Sequence, residues 1–170
     1  MRRPSFSAAD FGRLLMGEPE AVARVRGNGD YASVDGWVEF YQTPYGCLVA
    51  AQLQGLPHHE GKCENHFFGF HIHQGGRCAG PKNDPFAETE GHYNPDQCWH
   101  PQHAGDLPPL MEDEGRAFMA VLAGQLQIRR VLGRTVVIHT DPDDFHTQPS
   151  GASGQKMACG IILPTRRYPR

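Results

Sequence analysis

From Ala21 onward the sequence repeats one device: short runs in which apolar and polar residues alternate, each closed off by glycine, proline or aspartate. "AVARVRG", "GWVEFYQ" and "CLVAAQL" are the first three, separated by "GNGDYASVD" and "TPYG". A period of two puts successive side chains on opposite faces of an extended strand, and the turn residues between runs let the chain reverse. These runs therefore predict an antiparallel meander. "FFGFHIH", "GRAFMAVLA" and "RTVVIHT" add three further strands. With 20 Gly and 14 Pro in 170 residues, the chain reads as all-β and turn-rich rather than as a helical bundle. One short N-terminal helix stands outside the pattern. In "SAADFGRLLMG" Ser7 can cap, Asp10 follows three residues on, Phe11, Leu14 and Leu15 form a stripe, and Gly17 ends the run. Such a helix is expected on the outside of the domain.

A chain of 170 residues can bury a core without metals or disulfides to hold it together. Two Gly- and Pro-rich segments, Gln74 to Leu110 and Asp141 to Gln155, are too long for simple turns, and loops of that length usually carry function. The net charge of -3 provides no sequence-wide basic field, so neither nucleic acid nor an anionic membrane is an expected partner. Asp10, Arg13 and Glu18 interrupt any apolar core of about 7 to 15 residues that an export signal needs. No run reaches transmembrane length either, so the expected compartment is the cytoplasm. The five cysteines, Cys47, Cys63, Cys78, Cys98 and Cys159, are an odd number, which leaves at least one without a partner inside the chain.

The chemistry concentrates in the histidines. In "FHIH", His71 and His73 lie two apart on one strand face, about 7 Å along the strand, and can converge on an ion. Two half-exposed histidines on a solvated face would read the same way. His100, His103 and Asp106 are spaced by three in a segment whose prolines and glycine argue against a regular helix. A loop wrapped around an ion can present such N and O ligands inward, and the set suits zinc. His139 ends the apolar strand "RTVVIHT", where a lone histidine is commonly a core-edge residue. Asp143 and Asp144 follow it, and a carboxylate there can accept the second ring N–H of a metal-bound imidazole.

Together these residues resemble the copper,zinc superoxide dismutase family. The likeness runs in order from the strands near Val22 to "ACGII", and rests on "GFHIH", "GHYNP", "HAGDL", "VVIHTDPDD" and "ACG". It implies one domain over residues 1–170, a Greek-key β-barrel or flattened, immunoglobulin-like sandwich. Within it, residues 1–20 form an N-terminal extension, 74–110 a disulfide and zinc loop, and 140–158 an electrostatic loop. The resemblance implies His71, His73, His92 and His139 as copper ligands, and His92, His100, His103 and Asp106 as zinc ligands. His92 would bridge the two metals, Asp143 would link a copper-ligand histidine to a zinc-ligand histidine, and Cys78 would pair with Cys159. The implied activity is disproportionation of superoxide to dioxygen and hydrogen peroxide as copper cycles between Cu(II) and Cu(I), with His92 supplying one proton. A copper chaperone and a second copy of the chain are the further partners it suggests.

The chain departs from the family pattern at Lys156, three residues before the cysteine of "ACG", where the family has an arginine that docks the anion beside copper. Lysine keeps the charge but gives up the planar fork, so a slower enzyme is expected. A solvated loop lysine is the bland reading. Lys62 and Lys82 are distant in sequence, so long-range attraction of superoxide is expected to be modest. Cys98, between His92 and His100, is open to three readings: a zinc thiolate, a disulfide partner or a buried residue. Cys47 and Cys63 read as structural. "PHHEGKCENH" reads as an exposed strand connection whose His58, His59 and His66 lack a matched acidic or cysteine partner. The rival functions are a non-catalytic copper- or zinc-binding protein of the same fold and a zinc hydrolase. The latter lacks a glutamate placed as in H-E-x-x-H.

Overall fold

A computed structural model describes residues 7–58 and 67–165. Lys62, Cys63, His59 and His66 lie outside the described residues. The alternating runs become strands within a residue or two of their expected ends: β1 (Ala21–Gly27), β2 (Asp35–Thr43), β3 (Gly46–Gln54), β4 (Phe67–His73), β6 (Arg116–Ala123) and β7 (Thr135–His139). β5 (Asp106–Met111) and β8 (Lys156–Pro164) complete the set, with α1 (Ala8–Leu15) before the barrel and a single-turn α2 (Ile128–Val131) before β7.

Alternation decides which side chains enter the core. Ala21, Ala23 and Val25 of β1, Val38 and Phe40 of β2, and Val49 and Ala51 of β3 join Phe70 and Ile72 of β4 in one buried cluster. Because Phe70 and Ile72 point inward, His71 and His73 stand on the outer face of the same strand. They are nevertheless buried, at 0% and 2% exposure, so the chain must cover them from outside.

All strand neighbours are antiparallel, in the order β5-β4-β7-β8-β1-β2-β3-β6. β1, β2 and β3 form the expected meander. The chain then crosses to β4, returns to place β6 beside β3, and crosses again to β7, which is the Greek-key connection. The end strands β5 and β6 pack on each other without a ladder, leaving a nearly closed barrel.

The two strands that alternation did not reveal begin at Asp106 and Lys156, so the connections before them run over 74–105 and 140–155. Pro108 and Pro109 have no N–H to give a ladder, which β5 tolerates because it is an edge strand paired only with β4 and because the two prolines fall where the β4–β5 register shifts. β8 lies between β7 and β1 and is buried through Met157–Gly160, so it reads as a continuous apolar run.

α1 begins with the expected capping box: Ser7 Oγ accepts from Asp10 N, and the Asp10 carboxylate accepts from Ser7 N at 2.8 Å. Phe11, Leu14 and Leu15 pack on Tyr41, Leu48 and Ala50, on the outer face of β2 and β3.

Candidate metal centre

Two groups of donors form on the outer face of β4 and β7. In the first, His71, His73, His92 and His139 bring one ring nitrogen each to within 4.8 Å of the others. The second, His92, His100, His103 and Asp106, meets the same limit and shares His92. Strand alternation supplies His71 and His73, and β7 delivers His139 at its C-terminal end. His92 comes from the long loop, whose backbone is stitched to β4: Tyr93 N donates to Ile72 O at 2.8 Å, Ile72 N to Gly105 O at 2.9 Å, and Gly105 N to Tyr93 O at 2.9 Å. A side chain at position 105 would run into the Ile72 carbonyl, so this close approach requires glycine.

Hydrogen bonds on the far side of three of the rings decide which nitrogen faces the centre. His71 Nε2 donates to Asp143 Oδ2 at 2.7 Å and His100 Nε2 to Asp143 Oδ1 at 2.9 Å, which turns both Nδ1 atoms inward. His73 Nδ1 donates to the Glu90 carbonyl at 2.8 Å, so its Nε2 points in and meets His139 Nε2 at 3.2 Å. Asp106 gathers the second group, with His92 Nδ1 at 2.7 Å from Oδ1, and His100 Nδ1 and His103 Nδ1 at 3.0 and 3.2 Å from Oδ2.

The inward atoms are poorly satisfied by the protein alone. His71 Nδ1 and His92 Nε2 are buried without a hydrogen-bond partner, and His100 Nδ1 and His103 Nδ1, although close to Asp106, are not hydrogen-bonded to it. Each such group costs about 1–3 kcal/mol when nothing compensates it. For His71 and its neighbours His73 and His139, protonation is no remedy. Burial first, then the neighbouring histidines, pushes His139 down to about 3 and His73 well below the usual imidazole range. His71 is lowered by burial even against the attraction of Asp143. Burial alone would raise Asp106, but His92 and then His103 and His100 hold it below the usual carboxylate range. Asp143 is likewise opposed by burial and held well below that range by His71, the Phe145 amide and His100. Neutral imidazoles with free lone pairs beside ionised carboxylates are what metal ions require. Four imidazoles suit a redox-active, nitrogen-preferring ion, and three imidazoles plus a carboxylate suit a closed tetrahedral site.

At the edge of the first group, Lys156 is the cross-strand partner of His139, where the β7–β8 register slips. Its Nζ donates to the Phe86 carbonyl at 3.2 Å. Phe86 is buried against Val137, Cys159 and Cys78, and the last two form a disulfide that ties the long loop to β8. This bond overturns the expected cytoplasmic location, because a structural disulfide argues against a purely reducing compartment.

Cys98 is free, half-buried and in neither donor group, with Sγ 3.9 Å from the Asp96 carbonyl, which corrects all three expectations for it. Cys47 is fully buried, as a structural residue should be. His58 has the acidic partner denied to it: its Nδ1 is 2.9 Å from the buried Glu112. Sequence reasoning also missed the carbonyls of Glu90 and Phe86, because a backbone acceptor leaves no residue-type signal.

Residues 34–162 match the family described as copper/zinc superoxide dismutase (SODC). The chain is similar to superoxide dismutase (Cu-Zn) 2 of Aquifex aeolicus (strain VF5), at 33% identity over 144 residues that cover 76% of this chain and 79% of that protein. It is also similar to the copper chaperone for superoxide dismutase of Homo sapiens, at 35% identity over 156 residues, 84% of this chain and 52% of that protein. Among solved structures, Cu/Zn superoxide dismutase from Brucella abortus superposes with a TM-score of 0.69 at 25% identity, covering 84% of this chain and 99% of that one.

Proposed function

Because the chain belongs to the copper/zinc superoxide dismutase family, we propose that the two donor groups divide its metals between them, with His71, His73, His92 and His139 holding copper and His92, His100, His103 and Asp106 holding zinc. The protein is an enzyme with copper and zinc as cofactors. Two superoxide ions and two protons give one dioxygen and one hydrogen peroxide. Copper supplies the one-electron exchange by cycling between Cu(II) and Cu(I), while zinc has no redox chemistry.

The remaining roles belong to the chain. His92 is the shared residue: Nδ1 faces Asp106 and Nε2 is unpartnered, so Nε2 is the atom that would hold a proton and pass it to the departing peroxide. Asp143 fixes the tautomers of His71 and His100 together, which couples the two metal sites through one carboxylate. The Lys156 ammonium would draw the anion toward the His139 side of the site. Residues 74–105 and 140–155 would serve as the disulfide and zinc loop and the electrostatic loop. A copper-delivering protein is a further proposed partner, on family grounds.

The observation that carries the ligand assignment is the sharing of His92 by two otherwise complete donor sets. The complete four-imidazole set also disfavours a non-catalytic member of the fold. The test is metal analysis and a superoxide dismutation assay on one sample loaded with both ions, then repeated after chelation. One copper and one zinc per chain, with activity lost on chelation and restored by both ions, is the expected result. Zinc alone, without turnover, would sink the proposal.

A further inference from the structure

One side chain outside both donor groups grips the backbone of a residue inside them. Gln148 Oε1 accepts from His100 N at 3.0 Å, and Gln148 Nε2 donates to His100 O at 2.8 Å. A carboxamide that pairs with both the N–H and the C=O of one residue fixes that residue's backbone, whereas a bond to its ring fixes only the imidazole. The ring is held separately, at Nε2 by Asp143 Oδ1. Three polar atoms of His100 are therefore held by a single loop, 140–155, and Nδ1 is left to face Asp106.

That loop is braced well enough to act as a fixed jaw. Asp144 Oδ1 accepts from the amides of His146 and Thr147 at 3.0 and 2.8 Å. Gly151 N donates to Thr147 O at 2.7 Å, and Asp144 N donates to Gly151 O at 2.9 Å. Gly151, at φ +68, lies against the Asp143 carboxylate and His100 Nε2, where any side chain would collide.

We propose that Gln148 is a positioning residue for zinc retention, clamping the His100 backbone so that its imidazole cannot swing out of the second donor group. This rests on the reading of His100 as a zinc ligand. A metal leaves a closed site by shedding ligands one at a time, and the ligand on the loosest backbone goes first. With both Gln148 bonds made, His100 can leave only by ring rotation, which Asp143 opposes. Without them, the segment around His100 can move as a unit.

The test compares holoenzyme with Gln148→Leu, Gln148→Glu and a control, Gln155→Leu, whose residue lies in the same loop and makes its hydrogen bonds through its backbone. The readouts are the rate of zinc release to a colorimetric chelator and the visible absorption of cobalt(II) loaded in place of zinc. Q148L should release zinc about tenfold faster and alter the cobalt bands, while copper content stays at the wild-type level. Q148E keeps an acceptor for His100 N but sets a carboxylate oxygen against the His100 carbonyl, so it too should release zinc faster than wild type, and Q155L should match wild type. A wild-type release rate in Q148L, or an equal acceleration in Q155L, would overturn the proposal. Should Q148L fail to fold, a wild-type rate in Q148E overturns it instead. Wild-type protein that binds no zinc would overturn the ligand assignment, whereas an unchanged release rate removes only the role of Gln148.

Discussion

Lys156 and His139 are partners across the β7–β8 ladder at the one place where its register slips, and the lysine's ammonium is already donating to the Phe86 carbonyl. That carbonyl anchors the ammonium, a compact charge with three rotatable donors that grips an incoming anion without a fixed geometry. A guanidinium, with five N–H donors in a planar fork, would hold carbonyl and anion in one fixed arrangement. Lys156→Arg is therefore expected to raise superoxide turnover and Lys156→Met to lower it about tenfold, with copper and zinc content unchanged in both. Pulse radiolysis on metal-matched samples measures this. An unaltered rate in K156M would leave Lys156 as a strand-end residue that serves only the Phe86 carbonyl.

The Cys78–Cys159 bond reaches the same lysine indirectly, since Phe86 is packed on both cysteines. Cys78→Ser is expected to cost about 2–4 kcal/mol of stability, because it frees a closed loop in the unfolded chain. It should also lower turnover at equal metal content by loosening the acceptor of Lys156. Denaturant unfolding gives the first quantity and a dismutation assay the second. Lost stability with undiminished turnover would separate the disulfide from the placement of Lys156.

The two free cysteines among the described residues should behave in opposite ways. Burial pushes the Cys47 thiol up to about 12, from an ordinary value of 9.0. Its proton is retained in the folded chain at pH values where the unfolded chain has lost it. The associated stability is therefore full below pH 9 and falls away as pH rises toward 12. Native protein treated with iodoacetamide near pH 8 should be modified at Cys98 and not at Cys47, as peptide mapping would show. Cys47→Val should remove this part of the alkaline loss of stability, and a Cys47 that alkylates as fast as Cys98 in the native state would refute its burial.

What could be read from the sequence was whatever depends on residue type at fixed spacing. The strands whose alternation separates inside from outside were legible, as was the helix cap at Ser7 and Asp10. Of the two donor groups, His71 with His73 and His100 with His103 and Asp106 stood out by spacing, while His92 came only through the family resemblance and His139 alone read as a core-edge residue. β5 was hidden because paired prolines argue against a strand unless it is known to lie at an edge. β8 was hidden because a strand buried on both faces has no alternation. Contacts that join distant segments were also beyond reach: Gln148 lies 48 residues from His100, and Glu112 lies 54 from His58. The compartment was misread because the argument rested on the absence of a signal, while the informative cysteines were visible but could be paired only through the family resemblance.

In the strand order, β2 and β3 stand across the barrel from β4 and β7. α1 lies on the outer face of the first pair and the histidines on the outer face of the second, so helix and metal centre occupy opposite walls. Met16, which caps α1 and is 90% exposed, therefore points away from the catalytic mouth. A tether attached there would hold the enzyme to a bead or electrode with its copper side turned to the solution, an orientation that random coupling through surface amines cannot guarantee.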